Sequence, residues 1–258
     1  MPLKKAKLRG VKRERPKAVK SYEEMSAYAA KELAAAIKAK PQFVLGLATG
    51  STPVGMYKEL VAMNKSGEVD FSGVTTFNLD EYYPIKRDNS QSYYTFMYEN
   101  LFSHINIDHK NVHLPNGEAE DPEAEGAQYD AMIREAGGVD IQILGSGVNG
   151  HIGFNEPDTS LITGTHKTAL TQNTIEVNSR FFNDISEVPT HALTMGMKTI
   201  FEARRIIILL NGDNKAPILD AMFSGRITTQ IPATFLALHK DVTVVTDEAT
   251  AAKTEIFG

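Results

Sequence analysis

The chain has 258 residues, 42% of them hydrophobic and 23% charged, with a formal net charge of −5 and no cysteine. That suits one sizeable core, read as a single α/β domain. No apolar run approaches the ~20 residues of a membrane-spanning helix, and without cysteine there are no disulfides, thiolate zinc sites or thiol nucleophiles.

Residues 1–20 carry nine basic side chains (Lys4, Lys5, Lys7, Arg9, Lys12, Arg13, Arg15, Lys17 and Lys20) against Glu14 alone. This net +8 leaves −13 on the rest of the chain. The expectation is a solvated, partly disordered basic extension over 1–20, ahead of one domain over 21–258. The arm has neither the apolar centre of a secretory signal nor any hydroxyl residue, and a cytoplasmic protein is expected. The acidic body argues against nucleic acid as the main partner.

Ser21 with Glu24 forms a capping box for the helix YEEMSAYAAKELAAAIKA. QFVLGLA (42–48) reads as a buried strand, followed by a turn-rich loop and a helix from Pro53 to about Asn64. VTTFNL (74–79) is a second strand. In SQSYYTFMYENLFSHI, helical spacing puts Tyr94, Met97, Tyr98 and Leu101 on one face. PEAEGAQYDAMIREA is another amphipathic helix. VDIQIL (139–144), RRIIILLNG (204–212) and DVTVVTD (241–247) read as further strands. Val/Ile/Leu runs between helices imply a mostly parallel, Rossmann-like sheet covered on both faces. Sites in such folds form at the carboxyl ends of strands. That rule selects the loops after residues 48, 79, 144 and 210.

The first loop, ATGSTP, gathers Thr49, Gly50, Ser51 and Thr52 ahead of a helix starting at Pro53. Backbone amides and hydroxyls at a helix N-terminus make an anion site, most naturally for phosphate. The second, NLDEYYP, places Asp80 and Glu81 directly after a strand, where a shielded carboxylate can serve as a general base. The alternatives are a capping or surface acidic pair, and a metal site, for which no clear partner His or carboxylate lies nearby in sequence. The third, GSGVNGHIGFNEP, contains Gly145, Gly147 and Gly150 in a G-x-G-x-x-G pattern. Gly153 and Pro157 deny it the long helix that dinucleotide binding requires, and no acid lies in 159–175. Read as a turn, it presents Asn149, His151 and Glu156; a histidine near a carboxylate suits proton transfer. The fourth, NGDNKAP, offers Lys215; Arg180 in NSRFF is a further cation. His104, His109, His113, His166, His191 and His239 are read as structural.

Together LGLATGSTP, FNLDEYYPI with QSYYTFM, GSGVNGHIGFNEP, NSRFF, ALTMG and GDNKA resemble the glucosamine-6-phosphate deaminase family, in the family's order, over roughly residues 20–250. The resemblance implies that Asp80 shuttles a proton between C2 and C1 of an open-chain sugar. It implies that His151 opens the ring and that Glu156 orients it. Asn149 stands where some members carry Asp, and an amide can orient His151 but lends it no charge. Thr49, Gly50, Ser51 and Thr52 with Arg180 and Lys215 are the implied phosphate site, and Gly145 a backbone contact. The implied partner is an amino sugar phosphate, with no metal, no cofactor, no nucleic acid and no membrane. Gly164, His166 and Thr168 stand where activated hexameric members carry basic residues, and the C-terminus is short. The resemblance therefore implies a monomer without activation by an acetylated sugar phosphate. Phosphogluconolactonases share the phosphate loop and the glycines but end the motif differently from N-E-P. The family's usual strand before the first helix is poorly represented here, with the basic arm in its place.

Overall fold

The computed structural model describes residues 15–179, 182 and 184–257. Its strands are β1 (Lys17–Val19), β2 (Val44–Leu47), β3 (Thr75–Asn78), β4 (Asp80–Tyr83), β5 (Val112–His113), β6 (Ile141–Leu144), β7 (His166–Ala169), β8 (His191–Thr194), β9 (Arg205–Leu210) and β10 (Val242–Asp247). Its α-helices are α1 (Tyr22–Ala39), α2 (Val54–Lys65), α3 (Tyr93–Asn100), α4 (Pro122–Glu135), α5 (Gln172–Ser179), α6 (Met197–Phe201), α7 (Ala216–Phe223) and α8 (Glu248–Ala251). A seven-stranded sheet runs in the order β1-β10-β9-β6-β2-β3-β5, with every pairing parallel. No described helix is long and apolar enough to cross a membrane.

Helices cover both faces of this sheet, and β9 shows why its sequence is continuously apolar. Ile207 and Leu209 face the core shared with Met25, Leu33, Tyr57, Leu60 and Met97 of α1, α2 and α3. Ile206, Ile208 and Leu210 face Tyr129, Ile200, Leu219 and Met222 of α4, α6 and α7. Side chains alternate along a strand, so burial on both faces leaves no polar position. Below the amino ends of these strands, the buried carboxylate of Asp140 is held by Lys40 at 2.6 Å, Arg204 at 3.0 Å and the Val44 N–H at 2.9 Å.

The domain begins earlier than expected. Lys17–Val19 pair in parallel with Val245–Asp247, so the fold takes in residues expected to lie outside it, and the strand before α1 is present. An edge strand of three residues needs only one inward apolar side chain, here Val19, so it leaves no alternation to read. Residues 1–14 lie outside the described residues. The capping box of α1 is offset: Ser21 Oγ accepts from the Glu24 N–H at 3.3 Å, while Glu24 reaches back to the Lys20 N–H at 3.0 Å. A second sheet, β4-β8-β7, is antiparallel and was not expected. It turns the loop after β3 into a strand that begins at Asp80.

Candidate active site

The four selected loops meet at the carboxyl edge of the main sheet. After β2, Gly50 adopts φ +94°, in the left-handed region that favours glycine, and the loop enters α2 at Pro53. Ser51 is exposed, and Thr49 and Thr52 are half-buried. Tyr22 of α1 fixes this turn: its hydroxyl donates to the Ser51 carbonyl at 2.9 Å and accepts the Gly55 N–H at 2.8 Å. The Thr52 hydroxyl donates to Asn211 Oδ1 at 3.2 Å, tying the loop to the end of β9. From that same β9 loop, Lys215 donates to the Ser146 carbonyl at 2.6 Å. Burial holds its ammonium below the ordinary Lys range. Gly145 lies between these elements with open space beside its Cα. Arg180 lies outside the described residues.

Asp80 and Glu81 take different roles because neighbouring strand residues face opposite ways. Glu81 is a helix cap: it accepts the N–H groups of Tyr93 at 2.8 Å and Tyr94 at 2.9 Å, opening α3, and that of Tyr82 at 2.9 Å. Burial pushes it up to about 7, against the pull of those amides and Arg87. Asp80 is 6% exposed, and among the described residues it has no hydrogen-bond donor. Burial first, then the Glu81 charge, push it up to about 8. A buried carboxyl kept free of donors retains its basicity.

The third loop is a turn, as its glycines and proline require. Ile152 bridges Asn155 across Gly153, which adopts φ +57°. The Phe154 N–H donates to the Thr194 hydroxyl at 3.1 Å, and the Asn155 amide to the Ile152 and Met195 carbonyls, each at 2.8 Å. Thr194 sits opposite Asp80 in the β4–β8 register. A Cβ on Gly153 would lie 3.5 Å from Asp80 Oδ2 and 2.8 Å from the Thr194 hydroxyl, so this turn runs directly beside Asp80. His151 Nδ1 is 3.0 Å from Glu156 Oε1. Asn149 donates its amide to Glu156 Oε2 at 2.6 Å and accepts the His151 N–H at 3.2 Å. Burial alone would push Glu156 up, but His151, Asn149 and Thr174 outweigh it and hold the carboxyl below the ordinary Glu range. The ring of His151 rests on Gly147, where a Cβ would lie 2.6 Å from each ring nitrogen.

These loops coincide with a family match. Residues 16–245 fit the model of the glucosamine-6-phosphate isomerases/6-phosphogluconolactonase family. The chain belongs to this family. The glucosamine-6-phosphate deaminase of Clostridium perfringens is 56% identical over 90% of this chain and 96% of its own. That of a Thermoanaerobacter species is 55% identical over 90% and 92%. Among solved structures, a monomeric glucosamine-6-phosphate deaminase superposes with a TM-score of 0.89 at 42% identity, covering 93% of this chain and all of that one. A 6-phosphogluconolactonase from Thermotoga maritima, at 21% identity and a TM-score of 0.72, shares the fold.

Within the isomerase/phosphogluconolactonase fold, the structure brings Asp80, Asn149, His151, Glu156, Lys215 and the Thr49–Thr52 loop to one edge. The sequence did not single out Tyr22, Asn211, Thr174 or Thr194, which hold those groups in place. Gly153 was legible there only as a helix breaker; its close approach to Asp80 was not. Four histidines read as structural are satisfied locally: His104 by the Glu99 carbonyl, His166 by Gly164, His191 by the Thr190 hydroxyl and His239 by the Ala203 carbonyl.

Proposed function

We propose that this protein is a glucosamine-6-phosphate deaminase that converts glucosamine 6-phosphate and water to fructose 6-phosphate and ammonia. The observation that carries the reading is a donor-free buried carboxyl, Asp80, beside the turn that bears the His151–Glu156 pair. The phosphate docks on the Gly50–Thr52 loop at the N-terminus of α2, with Lys215 and Arg180 as cations. That remote binding energy holds the sugar carbons against Asp80. His151 moves a proton between the anomeric hydroxyl and the ring oxygen and so opens the pyranose. Glu156, kept ionised, supports the charge that the imidazole acquires. Asp80 then takes the C2 proton and delivers it to C1. The C2 imine adds water at carbon, and the C–N bond breaks to release ammonia. Gly145 contributes backbone contact to the sugar. The protein works as a monomer.

Ammonia release from glucosamine 6-phosphate tests the reading, with 6-phosphogluconolactone as the control substrate. Ammonia from the first and no hydrolysis of the second is the expected result. Turnover of the lactone alone overturns the assignment. Sedimentation velocity giving a hexamer overturns the monomer.

A further inference from the structure

A second recess lies beyond the cleft, against the edge strand β5. Two concavities meet there and share Arg87, Tyr94, Leu114 and Asn116. The larger has a volume of about 210 Å³ and continues past Tyr98 and His113 to Glu125 of α4. The smaller ends against Glu81. Strand alternation sets this location: Asp80 faces the cleft beside Gly153, and Glu81 faces α3 and the recess.

The lining is chemically specific. The Arg87 guanidinium lies 4.8 Å over the ring of Tyr94. Among the described residues no carboxylate lies within ion-pair distance of it. Tyr94 stacks on Tyr98 at 4.4 Å, and Tyr98 meets His109 edge-on at 5.2 Å. His113 stacks on Phe77, and burial holds its imidazole below the ordinary His range. Glu125 spends one oxygen on the Asn116 N–H at 2.8 Å.

We propose that this recess is a second small-molecule site, for a ring-bearing anion. Its phosphate or carboxylate oxygens sit on the Arg87 fork and its ring on the Tyr94–Tyr98 wall. A guanidinium already stacked on an aromatic face keeps its donors free for a planar or tetrahedral anion. The recess lies next to the cleft: Tyr94 donates its N–H to Glu81, and Glu81 adjoins Asp80 in β4. The inference rests on the recess alone, independent of the substrate assigned to the cleft.

The test follows histidine ring signals by NMR while adenosine 5′-monophosphate, benzoate or inorganic phosphate is titrated in. His109 and His113 report the recess, and His151 separately reports the cleft. Saturable shifts at His109 and His113 with the two ring-bearing anions, stronger than with inorganic phosphate, are expected. Arg87→Gln then weakens binding by about 10- to 100-fold with the rest of the spectrum unchanged. The proposal fails if neither ring-bearing anion shifts His109 or His113 by ~10 mM. It fails equally if inorganic phosphate binds as well as they do, or if Arg87→Gln binds as well as the wild type.

Discussion

Asp80→Asn separates what the buried carboxyl costs from what it does. Burial and the neighbouring Glu81 charge raise its pKa from 3.8 to about 8. For a carboxyl raised in this way, the unfolded chain loses its proton first, while the folded protein retains it until pH 8. Stability from this group is therefore complete below the ordinary value and is lost as pH rises toward 8, at about 1.4 kcal/mol per unit. At pH 7 the accumulated loss reaches about 4 kcal/mol as a ceiling. Asparagine fills the same space and does not titrate. The melting temperature of Asp80→Asn should accordingly gain on the wild type between pH 5 and pH 8, by up to roughly 3–5 °C per unit, and stop gaining above pH 8. Over the same range ammonia release should fall by a factor of ~10²–10⁴, the usual contribution of a positioned base. Calorimetry across pH 5–9 beside a steady-state ammonia assay measures both. A stability gap that does not change with pH, or a variant with full turnover, refutes the reasoning.

Gly147→Ala sets a Cβ 2.6 Å from both ring nitrogens of His151 and should cut turnover of the cyclic sugar by at least ~10-fold with the melting temperature little changed; unchanged turnover would mean the ring has room to move. Tyr22→Phe removes the hydroxyl that bridges Ser51 and Gly55. It should raise KM by about 5- to 100-fold, the combined worth of two neutral hydrogen bonds, while kcat stays constant; a fall in kcat with constant KM would contradict a positioning role. Glu156→Gln removes a carboxylate held below the usual Glu range. A lowered pKa keeps that charge at neutral pH and loses it as pH falls, so the activity ratio of wild type to variant should be ~10- to 100-fold at pH 7 and shrink under acid conditions. A ratio independent of pH would show that the charge of Glu156 is not what matters.

What the sequence made legible follows from how far apart the interacting residues are. The run RIIILL announces a strand buried on both faces, because each residue reports its own environment. The four loops could be found because strand ends follow from strands, and parallel strands put their carboxyl ends on one edge. The antiparallel sheet could not be found in the same way. DEYY is polar and aromatic, and it becomes a strand only because His191–Thr194, far along the chain, supplies its partner. Asp80 and Glu81 look equivalent as a dipeptide; the strand separates them, giving one to the cleft and the other to the amides of α3.

The glycines of GSGVNGHIGFNEP carry the same lesson about context. In a dinucleotide site such glycines let a pyrophosphate approach the backbone. Here Gly147 admits the ring of His151, and Gly153, at φ +57°, lets the turn pass Asp80 without a side chain between them. The spacing is the same, but the bodies that approach the backbone are the protein's own side chains, the imidazole of His151 and the carboxyl of Asp80. Which body approaches is decided by Gly153 and Pro157, since a continuous helix after Gly150 would carry Glu156 away from His151. The geometry of the segment is therefore set by the residues that stop a helix as much as by the His151–Glu156 pair they bring together.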